Sequence, residues 1–558
     1  MSSSGSRAVS AKVDRLKFKM ARVLFDAGDV RNAVTVYEDV LSRSEDDAEV
    51  LLSYGNVAIA VGQEEQAIPI ILKAITKSPN DKRIRAGVAN ALRGDERISL
   101  MLKNFQENTP GKGSALAFLG TVLKEGGAVE ESIRVYKVAV EASPESASYV
   151  LNLMHVLELK ARYIECLEVA KAYLARNSAG KVGQGGQWCA RSDQVLRTLE
   201  QDAAILEVSL REFDGSMSSD GLALPQAHGV GTAWVPNEGD PHAIVFESEM
   251  DSSRDDALKT DSEQGRPSET PLSHPGGNYT PDELDLLAIY FTIVKVTYLC
   301  GALVTSARIV KVVEGARRAR HLHLTSIRNE HAYYCCVAQL LAAPPSIPSL
   351  AGEDTAEGKP IVVCGDSHTL SPAWRHILVQ GQVRRMIPFL VTGLKAWHLR
   401  PQSTFYPKVN FEAVVSRIPR GSDAIFIFCE IDCREGLLLA VEKDRYPNLK
   451  AGVRHVVGIY VRRLLDLSRD RSIRIFVHPV APVLNETRRV VVLFNKILKE
   501  EVEASAGNLF WLDFFDSLLE DNGNSFRKAF ALDGTHMGPG YINCLGEAFE
   551  SAVKNNEN

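Results

Sequence analysis

The run IVVCGDSH, residues 361–368, decides how the second half of the chain folds. Four apolar residues between Pro360 and Gly365 form a short, uninterrupted hydrophobic segment, the pattern of a strand buried on both faces. Gly365 closes that strand and Ser367 follows at the entry to a helix. Downstream the same alternation recurs. Further strands are predicted near Arg385–Pro388 and over Ala424–Cys429, Ile473–His478 and Leu509–Phe514. Amphipathic helices are predicted near Pro372–Gln380, Phe411–Ser416, Gly452–Ser468, Glu486–Glu503 and Gly540–Lys554. Apolar strands alternating with helices predict a three-layer α/β/α domain with a parallel sheet over residues 360–556, its site at the carboxyl ends of the strands.

Upstream, the first 175 residues repeat. Gly28 and Gly62 lie 34 residues apart, as do Ala33 and Ala67, Tyr37 and Ile71, Leu41 and Ile75. Tyr37 to Tyr136 is 99 residues and Ile133 to Leu167 is again 34. Each unit reads as helix, Gly turn, helix. A small residue is needed where two helices touch, and a large one four positions on fills the gap to the next unit. The unit around Gly94 is degenerate and lacks the alanine. This period resembles the tetratricopeptide repeat family, which implies an α-solenoid over residues 11–175 and a groove that holds a peptide or another protein.

Between these regions, residues 176–213 are expected to form a capping helix (RSDQVLRTLEQDAAILEVSLREF, 191–213). Residues 214–279, rich in Ser, Gly, Pro and acids, are expected to be an acidic disordered linker. Residues 280–342 read as a helical segment, with the basic run at 317–320 as a solvated face. Its stretch Leu286–Val304 is long and apolar enough to span a bilayer, but Lys295 sits at its centre, where a charge costs about 2.5–3.5 kcal/mol. Thr280-Pro281-Asp282-Glu283 carries the start signal of a water-exposed helix end, so a buried core helix is expected rather than a membrane span.

Composition narrows the function classes. The 558 residues are 45% hydrophobic and 24% charged, with a net charge of −6. A charge so weak over so long a chain gives no electrostatic reason to expect nucleic acid. The nine cysteines include one short spacing, Cys429 to Cys433, without a second pair or a histidine at ligand distance. Reduced thiols and no metal are therefore expected. MSSSGSRAVSAKVDR at the amino terminus has no apolar signal core, so the expected location is cytoplasmic.

The chemistry-bearing residues stand at strand ends. Ser367 is placed as a nucleophile, with its own backbone N–H toward an oxyanion. Near the carboxyl end, Asp533-Gly-Thr-His536 lets one loop supply a base and the carboxylate that orients it. GDS (365–367) and DGTH (533–536) together resemble the first and last blocks of the SGNH (GDSL-like) hydrolase family. The resemblance implies Ser367 as nucleophile, His536 as base and Asp533 as its partner, with Gly393 donating to the oxyanion beside Ser367. It implies ester or thioester hydrolysis of lipids or acylated carbohydrates without a cofactor. Asp366, His368, Asp432 and His478 are expected to line the substrate pocket. Trp374 and Trp397 are candidates to flank an acyl group or sugar, with core packing as the default.

The third block departs from the family pattern G-x-N-D. Here it reads Cys429-Glu430-Ile431-Asp432, and isoleucine has no donor to replace the asparagine side chain. Arg434 is the expected substitute. Two readings follow. One is a serine esterase or acyl-hydrolase tethered to a protein-binding repeat module. The other is a scaffold whose repeats bind partners while the hydrolase-like domain serves as a binding or structural module.

Overall fold

The computed structural model describes residues 3–43, 46–105, 111–178, 186–215, 279–343, 345, 358–520 and 525–557. The expected linker at 214–279 lies outside the described residues except at its ends. Two compact units emerge: residues 1–156 with Thr404–Val409, and Leu157–Ser403 with Asn410–Asn558.

The first unit consists of helix pairs: Ser3–Asp26 with Val30–Leu41, Ala48–Ala60 with Glu64–Lys77, Lys82–Ala91 with Asp95–Lys103, and Lys112–Glu125 with Val129–Ala142. Ala33, Ala67, Tyr37, Ile71 and Tyr136 are all buried, as their spacing requires. The helices approach closely because small residues face large ones. A Cβ on Gly55 would stand 2.6 Å from Ile71, and one on Gly120 would stand 2.8 Å from Tyr136. In the divergent unit Met101 takes the slot of Ala33 and Ala67 and is fully buried.

Three of these four pairs turn on one left-handed glycine. Gly28, Gly62 and Gly127 have φ of 83°, 78° and 77°. At all three the glycine N–H donates to the carbonyl three residues back, and the next N–H donates to the carbonyl five back. These two hydrogen bonds satisfy carbonyls left over at a helix end. The same turn continues into the second unit, where Ala161 (φ 53°) and Gly301 (φ 84°) occupy it with the same two bonds. Sequence reading placed 280–342 apart from the repeats. Its first two helices, Pro281–Leu299 and Leu303–Arg318, are instead joined by a repeat-type turn.

Helix Pro281–Leu299 starts with a full capping box between Thr280 and Glu283 and is buried from Leu286 to Leu299. Lys295 is neutralised there by Glu158 at 2.7 Å and lies over the Tyr333 ring. No described helix is long and apolar enough to cross a membrane. The expected single helix over 191–213 is two, Gly186–Gln201 and Ala203–Gly215, broken at Asp202. The Asp202 carboxylate accepts from Thr305 and Arg308. The basic run is not simply solvated, since Arg317 is largely buried against Glu314.

The sheet has six strands: β1 (Ile361–Gly365), β2 (His376–Val379), β3 (Gln382–Leu390), β4 (Asp423–Ile427), β5 (Arg474–Val477) and β6 (Leu509–Trp511). Their order is β2-β3-β1-β4-β5-β6. It is mixed rather than parallel, because β2 runs antiparallel to β3. The segment Pro372–Gln380, expected as a helix, instead ends in strand β2, His376–Val379. Gln380 and Gly381, at φ 49° and 75°, form a two-residue hairpin turn that helix periodicity cannot detect. One face of the sheet packs on helix Ile542–Glu557 through Ile377, Leu545 and Phe549. On the other, Phe428 meets Phe426, Phe411 and Tyr460.

Ala161 holds a conformation that costs an L side chain about 1–2 kcal/mol, partly offset by the greater chain entropy of glycine. Ala161→Gly is expected to stabilise the protein by about 0.5–1 kcal/mol. The readout is a higher urea midpoint at unchanged slope; a lower midpoint contradicts the left-handed turn.

Candidate active site

Ser367 leaves the carboxyl end of β1 in a short 3-10 turn, Ser367–Leu370. Gly365 is required by space: a Cβ there would lie 2.3 Å from the Ile427 carbonyl on neighbouring β4. Asp366 caps the turn, its Oδ1 accepting from the His368 backbone N–H. Helix Pro281–Leu299 holds the turn from outside. The Tyr298 hydroxyl donates to the Leu370 carbonyl at 3.0 Å, and the Tyr298 carbonyl accepts from Trp374 Nε1 at 2.7 Å. The same carbonyl accepts the Gly301 N–H of the left-handed turn. Trp374 is therefore a fully buried packing residue and not a ligand platform.

The loop 533–536 meets this turn. His536 Nε2 lies 2.8 Å from Ser367 Oγ, and His536 Nδ1 lies 2.8 Å from Asp533 Oδ2. Asp533 Oδ1 accepts the backbone N–H groups of Thr535 and His536 at 2.7 and 2.6 Å, so both carboxylate oxygens are used. Burial alone would push the Asp533 carboxyl up. The His536 charge and these donors outweigh it and hold the group well below the usual carboxylate range. Burial likewise opposes the charged imidazole of His536, and Asp533 outweighs it, so His536 is raised above its ordinary value. Ser367 is half-buried and His536 buried. A serine, an imidazole and an oriented carboxylate in line are the parts needed to withdraw the hydroxyl proton.

The other expected site residues fare differently. His368 does not project as a pocket wall. Its Nδ1 faces Asp366 Oδ1 at 2.9 Å and its Nε2 faces the Thr535 carbonyl at 3.2 Å, so it bridges the serine turn to the histidine loop. Asp366 is spent on that bridge and on the cap. Asp432 is not available to a substrate either: it is buried and accepts from the amides of Ala396 and Trp397. Burial outweighs those donors and raises its carboxyl to about 7. His478 is packed between Phe514 and Tyr541, and burial depresses it to about 3. Gly393 stands just past β3 with φ 66°, at the same end of the sheet as Ser367. Arg434 is engaged by carboxylates of its own turn, Glu430 at 3.7 Å and Glu435 at 3.4 Å, rather than extended as a donor.

Two residues beside the site escape sequence reasoning. Glu430 is buried, its carboxyl pushed up by desolvation, and its charge acts on both His368 and His536. An acid directly after the apolar run at 424–429 was the available signal. Cys336 comes from helix Arg328–Ala342 and faces Asp533 and His536; nothing local in its sequence marks it. Cys429 adopts φ 83°, a left-handed backbone uncommon for a residue with a side chain.

Residues 24–91 match the tetratricopeptide repeat family. The amino-terminal region is thus helical and tetratricopeptide-like, a fold that suggests protein or peptide partners. Among solved structures, the MamA protein is 17% identical, covering 31% of this chain and 98% of MamA at a TM-score of 0.17. YrrB, described as a TPR protein with an unusual peptide-binding site, is 17% identical over 30% of this chain and 90% of its own, at 0.16. Pseudomonas aeruginosa pilF is 12% identical over 37% and 92%, at 0.16. No curated protein matches the chain in sequence.

The raised His536 is expected to titrate above an ordinary histidine in the native protein, and Asp533→Asn to lower its midpoint, because burial is then opposed only by the charges of Asp366 and Glu430. Histidine-selective NMR across pH measures both; an unchanged midpoint in the variant contradicts the pairing.

Proposed function

We propose that this is a tetratricopeptide-repeat protein that binds a protein or peptide through its repeats and carries an ester-cleaving serine in its second unit. The observation behind the second half is the Ser367–His536–Asp533 line, with 2.8 Å at each contact. The GDS and DGTH blocks and the left-handed backbone at Cys429 support an SGNH-type hydrolase. Ser367 Oγ attacks an acyl carbonyl as its proton passes to His536 Nε2, and Asp533 stabilises the imidazolium. The backbone N–H groups of Ser367 and Gly393 receive the oxyanion. His536 returns the proton to the departing alcohol, and water then releases the acid from Ser367. No metal or organic cofactor is needed for these steps.

A second reading has its own support. The Ile431 side chain carries no donor and Arg434 is held by Glu430 and Glu435. One missing oxyanion donor costs about 10²–10³ in turnover. In that reading the repeats bind partners and the second unit is a scaffold.

A fluorophosphonate probe separates the two. Labelling of the full chain that disappears in both Ser367→Ala and His536→Ala is the expected result. A folded wild type that does not label leaves the repeats as the functional element.

A further inference from the structure

We propose that Cys336, Asp533 and His536 form a binding site for a thiophilic divalent cation of the Zn²⁺ class, and that its occupancy silences Ser367. The first part stands on geometry; the second rests on the serine reading above.

The sulfur, one carboxylate oxygen and one imidazole nitrogen of these three residues all lie within 4.8 Å of one another, the one such group of three among the described residues. A tetrahedral zinc ion with its usual bond lengths spaces its ligands roughly 3.3–3.7 Å apart, so small side-chain movements close the set. The donors come from two elements already fixed against the serine turn. Helix Arg328–Ala342 bears Cys336, and its last turn is tied to that turn through Arg375, which donates to the Ala343 carbonyl at 2.5 Å. The loop carrying Asp533 and His536 is tied to it through His368. Asp533, the most exposed of the three, provides the way in.

The donor types choose the ion. Imidazole, thiolate and carboxylate suit zinc, whereas magnesium and calcium require oxygen ligands. Three protein ligands leave a fourth position for water. The Cys336 thiol loses its proton to solvent as the metal–sulfur bond forms. His536 coordinates through Nδ1, the nitrogen beside Asp533, and the proton held there moves to Nε2. Nε2 then presents an N–H to Ser367 instead of a lone pair, and the serine has no base. The ion thus competes for the atoms that orient and complete the proton relay.

The test is a Co²⁺ titration of the metal-stripped full chain, following the near-ultraviolet thiolate-to-cobalt absorption. One equivalent is expected to develop the band in wild type, and Zn²⁺ to bleach it. Cys336→Ser, Cys336→Ala and His536→Gln are each expected to abolish it; two substitutions at Cys336 guard against one that fails to fold. Fluorophosphonate labelling runs alongside, with Zn²⁺ slowing it at least tenfold in wild type and leaving Cys336→Ala unaffected. No band, or an equal band in the folded Cys336 variants, overturns the site. A band with labelling indifferent to Zn²⁺ overturns the silencing. If wild type never labels, the serine reading and the silencing fall together, while the cobalt band still decides the site.

Discussion

The Tyr298 carbonyl is the point on which the second unit turns. It accepts the Gly301 N–H that ends helix Pro281–Leu299 and the indole N–H of Trp374 that closes the serine turn. A carbonyl has two lone pairs, and both are used here. The left-handed residue that stops a helix therefore also fixes where the chain around Ser367 stands. The same two-bond turn occurs at Gly28, Gly62, Gly127 and Ala161, where it reverses the chain. One local solution to unsatisfied helix ends serves the repeats and, at its last occurrence, buttresses the candidate site.

Around that buttress, buried charges are matched with care. Lys295 meets Glu158 in the middle of an otherwise apolar helix. Removing one partner of such a pair typically costs about 3–5 kcal/mol, because the other charge is left alone in a poor solvent. Asp533 is likewise fully committed, to two amides and an imidazole. Glu430 differs: its nearest cation, Arg434, stands 3.7 Å away, and desolvation pushes its carboxyl up. The electrostatics of the loop beyond β4 are thus less settled than those of the loop that bears His536.

Sequence legibility followed the range of the interaction that decides each element. The repeat period was visible because each unit contacts its neighbours and leaves small residues at 34-residue intervals. Strand β1 and the motifs GDS and DGTH were visible because a strand, a turn and a loop are local. Strand β2 was missed, since His376–Val379 becomes a strand only by pairing across Gln380-Gly381. The roles assigned to Asp432 and His478 failed on burial, which no spacing reveals: one holds a backbone turn and the other is packed among aromatic rings. Cys336 was invisible because 197 residues separate it from Asp533. The repeat-type turn at Gly301 was missed because the expected linker at 214–279 interrupted the period.

The strand order has a consequence for association. Its edges are β2, four residues long, and β6, three residues long, while the longest strand, β3, is enclosed between β2 and β1. An exposed edge is a template on which another chain can add hydrogen bonds, and its hazard grows with length. Edges this brief leave little backbone for a foreign strand to register against. The sheet is therefore guarded against growing by accretion, and helical surfaces are left as the ground on which another molecule can settle.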